Sequence, residues 1–235
     1  MSRYHKFLLL AVLVVWVLTA INPKFPEDWL LENYLVFFFV PLIIILGRWF
    51  RLSNVSYTLI AIFTILHLIG AHYTYAEVPF GYTLQDWLGA SRNMYDRLVH
   101  FSFGFLLAYP IREVFMRLAR VKGLWAFYLP LDVTMSFSAF YELIEWVAAS
   151  TANSAAGIAF LGAQGDIWDA QKDMLSAGIG AVLAMLIVAA IHWKYNEEFS
   201  SEFKESFKIH KMDEPLDEVK LRKLIAKKTR LTKQK

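Results

Sequence analysis

Six long apolar runs fix what this chain can fold into. They fall at about 5–21, 29–49, 55–75, 95–114, 123–149 and 173–193. Roughly 20 apolar residues in a helix cross the ~30 Å hydrocarbon core of a bilayer. Inside that core each backbone N–H and C=O must find its partner within the protein, as it does in a helix. The expected fold is therefore all-α: a polytopic membrane protein with about six transmembrane helices in one bundle. Composition agrees, since 57% of the 235 residues are hydrophobic and only 19% are charged. Pro41, Pro110 and Pro130 fall within or at the ends of runs, where lipid-embedded helices tolerate them as kinks.

Orientation follows from the lysines and arginines. Arg3 and Lys6 precede the first run, Arg48 and Arg51 follow the second, and Arg112, Arg117, Arg120 and Lys122 separate the fourth from the fifth. The tail after the sixth is also basic. The opposite side holds only Lys24, Arg92, Arg97 and Lys172. Positive charge is retained on the cytoplasmic side, so both termini are expected there. No A-x-A-like site follows the first run, which argues for a retained span over a cleaved signal. Trp29, Trp87, Trp125 and Trp193 lie near expected span ends, as interfacial anchors do.

Two units result: a transmembrane domain over 1–193 and a basic cytoplasmic tail over 194–235. The end of the tail, DEVKLRKLIAKKTRLTKQK, reads either as an amphipathic helix on the anionic leaflet or as a solvated basic segment. Membrane lipids are the expected partners, and nothing points to nucleic acid. The chain has no cysteine, which excludes disulfides and thiolate metal sites.

The polar residues within or beside the runs gather at one level. On this topology His67, His72, Asp96, Arg97, His100, Glu142, Glu145, Asp166, Asp169 and Asp173 all fall toward the outer face, with Glu32 beside them. Only Asp132 lies nearer the cytoplasm. Asp96 and His100 in YDRLVH share a helical face, as do Glu142 and Glu145 in YELIEW, and Asp169 and Asp173. Ionisable groups in a membrane are costly and mark functional sites by default.

Read singly, several have plainer accounts. His67 suits a satisfied interior histidine, and His72 the headgroup layer. Arg97 can pair with Asp96 or a lipid phosphate, while Asp166 and Asp169 can cap a helix. Glu142 and Glu145 lie too far along a span for capping. Hard carboxylates with an imidazole suit a divalent metal such as Mg²⁺, Mn²⁺, Zn²⁺ or Fe²⁺. Asp96, His100, Glu142, Glu145, Asp166, Asp169 and Asp173 are the metal or polar-cluster candidates, with His67, His72 and Arg97 secondary.

The runs RNMYDRLVHFSFGF, SAFYELIEW and FLGAQGDIWDAQKDM resemble the YjdF-type family of bacterial inner-membrane proteins, a domain of unknown function. The order Asp-x-x-x-His, glutamate pair, Asp-x-x-x-Asp and the small-residue run SAGIGA is also distantly similar to VanZ-type proteins. There the second acidic position is commonly Gln and the third motif begins with Arg, where this chain has Glu145 and QGDIWD. The resemblance implies the inner (plasma) membrane and supplies no reaction. The residues themselves suggest metal-assisted hydrolysis or transfer on lipid headgroups or lipid-linked phosphates. The alternatives are a non-catalytic envelope protein with a structural polar network, or a lipid or small-molecule transporter.

Overall fold

The computed structural model describes residues 2–151, 164–208 and 222–228. The described residues form the helices α1 Arg3–Ala20, α2 Pro26–Leu46, α3 Asn54–Tyr73, α4 Pro79–Leu88, α5 Tyr95–Leu118, α6 Trp125–Thr151, α7 Asp169–Tyr195 and α8 Phe199–Glu205, with a further helical stretch over 222–228. Among the described residues there is no strand. Local chemistry sets the helix starts. Ser2 and Ser53 accept the His5 and Ser56 N–H groups, and α2 and α4 begin on Pro26 and Pro79. Pro41, Pro110 and Pro130 lie inside α2, α5 and α6.

Among the described residues five helices (α1, α2, α3, α5 and α7) are long and apolar enough to cross a membrane. The sixth expected span, α6, has the length, at 27 residues, but Asp132, Glu142 and Glu145 dilute its apolar character. Packing shows that it covers the same distance. Phe127 near its start meets His192 at the end of α7, and Glu142 reaches His100 near the start of α5. The chain therefore traverses the bundle in α6 as well, and is an all-α polytopic membrane protein. The bundle is apolar outside, as a lipid-facing surface requires: Phe7, Phe38, Phe140 and Leu186 are all exposed.

α5 is central. It packs on α3 and α6, and most extensively on α7. The α5–α7 contact is built from small residues. A Cβ added to Gly104 would collide with the Ala177 carbonyl, and one added to Gly180 with that of Phe101. Ala108, Ala177 and Ala181 are fully buried. In lipid, where apolar burial gives little helix association, such close backbone approach supplies the packing attraction.

Polar ties complete the bundle. The Glu113 carboxylate on α5 accepts from the Ser53 N–H (2.9 Å) and the Ser56 hydroxyl (2.5 Å), locking the start of α3 to the end of α5. α8 folds back so that Phe199 is buried against Phe127, while Ser206 accepts the Leu124 N–H at 2.9 Å. The expectation for the end of the tail falls mostly outside the described residues.

Candidate metal centre at one end of the bundle

The loops before α5 and α7 are clamped together. Fully buried Asn93 accepts the Tyr95 N–H (3.0 Å) and donates to the Val78 carbonyl (2.9 Å). Gln164 accepts the Asn93 N–H (2.9 Å) and donates to its carbonyl (3.2 Å). This brings the first turns of α5 and α7 side by side.

Two buried arginines join them. Arg97 on α5 pairs with Asp173, and with Asp169 at 2.5 Å and Asp166 at 3.3 Å. It also donates to the Asp169 backbone carbonyl at 3.1 Å. Arg92 pairs with Asp169 and, at 3.4 Å, with Asp96. Asp166 sits at the rim. It bonds Lys172 at 2.7 Å and accepts the Trp168 N–H at 3.1 Å, and these contacts hold its carboxyl below the usual range. Of the three aspartates Asp166 alone serves the turn into α7. Asp169 and Asp173 turn to the arginines, and the N-cap residue Trp168 has no side-chain cap bond.

Behind the arginines lies a tighter group. One ligand atom each from buried Asp96, His100 and Asp173 falls within 4.8 Å of the other two. His100 Nε2 stands 3.6 Å from Asp96 Oδ1 and 3.8 Å from Glu142 Oε1. The arginines engage the other oxygens, Asp96 Oδ2 and Asp173 Oδ2. Asp173, only 2% exposed, keeps Oδ1 without a hydrogen-bond partner, and so does Glu142 with Oε1. Glu145 lies within hydrogen-bonding reach of Glu142.

This geometry fits a cation. Oxygen donors on opposite sides of an ion at about 2.0–2.6 Å stand roughly 4–5 Å apart, so a 4.8 Å spread needs little contraction. A buried, unpartnered carboxylate oxygen is otherwise costly.

The secondary candidates divide. Arg97 is central. His67 belongs to an adjoining group: its Nε2–H donates to the Glu32 carbonyl (3.1 Å), and its Nδ1 accepts from Tyr75 Oη (2.6 Å). Tyr141 links the two groups, donating to Glu32 at 2.8 Å and setting its ring edge against His100. His72 stands apart and donates to the Thr19 carbonyl at 2.9 Å. Sequence reasoning missed Arg92, which it used only as a topology marker, and Tyr141. The four-residue spacing from Arg92 to Asp96 was the available signal for the first. For Tyr141, only its place beside Glu142 hinted at a role.

Fold and polar cluster together define a multi-pass membrane protein with a buried His–carboxylate–arginine site at one end of its helices. The chain belongs to the family described as a predicted membrane protein (DUF2238), which matches residues 4–194. It is similar to inner membrane protein YjdF of Escherichia coli (strain K12), at 38% identity over 191 residues, covering 81% of this chain and 91% of that protein. No solved structure matches. The YjdF-type resemblance therefore holds, with the bacterial inner membrane as the location. Neither match is to a VanZ-type protein, and that likeness carries no further argument.

Proposed function

We propose that Asp96, His100 and Asp173 bind one divalent cation, with Glu142 completing the donor set, and that the centre serves hydrolysis or transfer on a lipid headgroup or lipid-linked phosphate. The observation that carries this reading is the unpartnered Asp173 Oδ1, buried beside two further donors. A bound cation would polarise a phosphoryl or acyl oxygen. Arg97 and Arg92 fix the aspartates by their outer oxygens and keep the inner ones aimed at the centre. The Glu142–Glu145 pair is placed to hold or release a proton there. The Lys/Arg distribution puts this end of the bundle at the outer leaflet, where anionic headgroups are present.

One observation favours a second reading. Arg92 and Arg97 engage Asp96, Asp166, Asp169 and Asp173, and an ion-pair network of that kind also serves as structure alone. Metal analysis of the purified, detergent-solubilised protein separates the two. Near-stoichiometric divalent metal in the parent, lost in Asp173→Asn with the fold retained, supports the centre. A metal-free parent that also fails to take up added Mg²⁺, Mn²⁺ or Zn²⁺ leaves the structural network as the better account.

A further inference from the structure

The other end of the bundle carries a cavity unconnected with the carboxylate cluster. α1, α2 and α3 enclose about 460 Å³, within the ~300–1,000 Å³ range of ligand pockets. It arises from how α1 and α2 meet. Near the short turn joining them, Trp16 donates to Asn33 at 2.9 Å, and its ring lies 6.1 Å from those of Trp29 and Phe37. Toward their far ends a crevice opens between the two helices, with α3 as its back wall.

The crevice has two chemistries. Its shaft is apolar, lined by Leu9, Val12, Val40, Ile44, Ile60 and Ala61. Its mouth is basic: Lys6, Arg48 and Arg51 converge there from α1 and from the segment between α2 and α3. Among the described residues no carboxylate pairs with any of the three, whereas Arg117 at the same end is paired with Glu113. Trp49, 76% exposed beside Arg48, suits the headgroup layer. The shaft reaches about 9 Å below the mouth, from Lys6 to Val12 at ~1.5 Å per residue.

We propose that this crevice binds an anionic phospholipid of the adjoining leaflet, its phosphate among Lys6, Arg48 and Arg51 and an acyl segment along the shaft. Basic pockets between transmembrane helices on the cytoplasmic side recognise such headgroups. A soluble anion gains nothing from the shaft, and a zwitterionic lipid leaves the cationic mouth uncompensated. The site stands independently of the proposed metal centre.

The test is thermal unfolding of the full chain in an uncharged detergent, titrated with phosphatidylglycerol, with phosphatidylcholine of the same acyl chains, or with glycerol phosphate. Phosphatidylglycerol should raise the midpoint saturably, and the other two should not. Arg48→Gln with Arg51→Gln should weaken the phosphatidylglycerol response about thirtyfold, at the strength of two juxtamembrane charges, without moving the lipid-free midpoint. Arg120→Gln with Lys122→Gln, which removes equal charge from the same end outside the crevice, should leave the response intact. Leu9→Trp, which fills the shaft, should abolish it with the mouth unchanged. An equal response to phosphatidylcholine or to glycerol phosphate overturns the proposal. So does an equal loss in both charge-removed pairs, or full retention in Leu9→Trp. If a variant unfolds without lipid, mass spectrometry of lipid co-purified with the parent decides: enrichment of phosphatidylglycerol over the bulk membrane supports the site, and bulk composition overturns it.

Discussion

At the scale of single residues, Asp169 and Asp173 sit one turn apart on α7 and share Arg97, yet differ in what their remaining oxygens do. Asp169 is shared by two arginines, while Asp173 gives one oxygen to Arg97 and keeps the other free. Asp173→Asn should therefore lower bound metal strongly and Asp169→Asn weakly, with both proteins folded, as read by metal content after purification. Arg97 poses the opposite case. Replacing it with Met leaves buried Asp173 without its guanidinium partner, and removing one partner of a buried ion pair costs about 3–5 kcal/mol. Arg97→Met should show a large fall in thermal midpoint in detergent. Lys172→Met, which removes an exposed partner of Asp166, should shift it little, since exposed pairs contribute about 0–1 kcal/mol. The helical spacing of Asp96 and His100, and of Glu142 and Glu145, was legible because i,i+3 and i,i+4 positions share a face. For Arg92 only the spacing to Asp96 was legible; its pairing with Asp169, 77 positions away, was not.

At the scale of elements, the apolar runs mark the helices to within a few residues because a membrane allows them few alternatives. Helix ends obey local capping and were less legible: α7 begins at Asp169 and continues to Tyr195, beyond the run that marks it. The short helix α4 was not foreseen, since ten residues starting on Pro79 form no membrane-length run. The α5–α7 contact yields a paired prediction. A methyl at Gly180 meets backbone across the interface, whereas one at Gly178 meets only the flexible Met135 side chain. Gly180→Ala should lower the thermal midpoint by the equivalent of about 1–3 kcal/mol, the usual cost of overpacking. Gly178→Ala should leave it nearly unchanged.

At the scale of the whole molecule, the helices form one bundle with unlike ends: the His–carboxylate–arginine cluster at one, and a crevice with Lys6, Arg48 and Arg51 along its lining at the other. The Lys/Arg distribution predicts that reporter fusions at Lys235 and near Gly81 lie in opposite compartments. A shared compartment would contradict a bundle in which α6 makes a full crossing. The through-space links among Glu32, Tyr141 and His100 join helices distant in sequence, and no local pattern announces them.

The closeness of α5 and α7 bears on the cation site proposed above. Gly104 and Ala177 touch one turn along from His100 and Asp173, so the backbone contact acts as a caliper on the gap between the donors of the two helices. With no methyl between the backbones at Gly104, any change in their spacing would be felt by the proposed cation as a change in the preferred bond length, which is about 2.0–2.1 Å for Mg²⁺ and 2.3–2.6 Å for Ca²⁺. Gly104→Ala would open the caliper, and competition binding should then show relative affinity shifting from Mg²⁺ toward Ca²⁺.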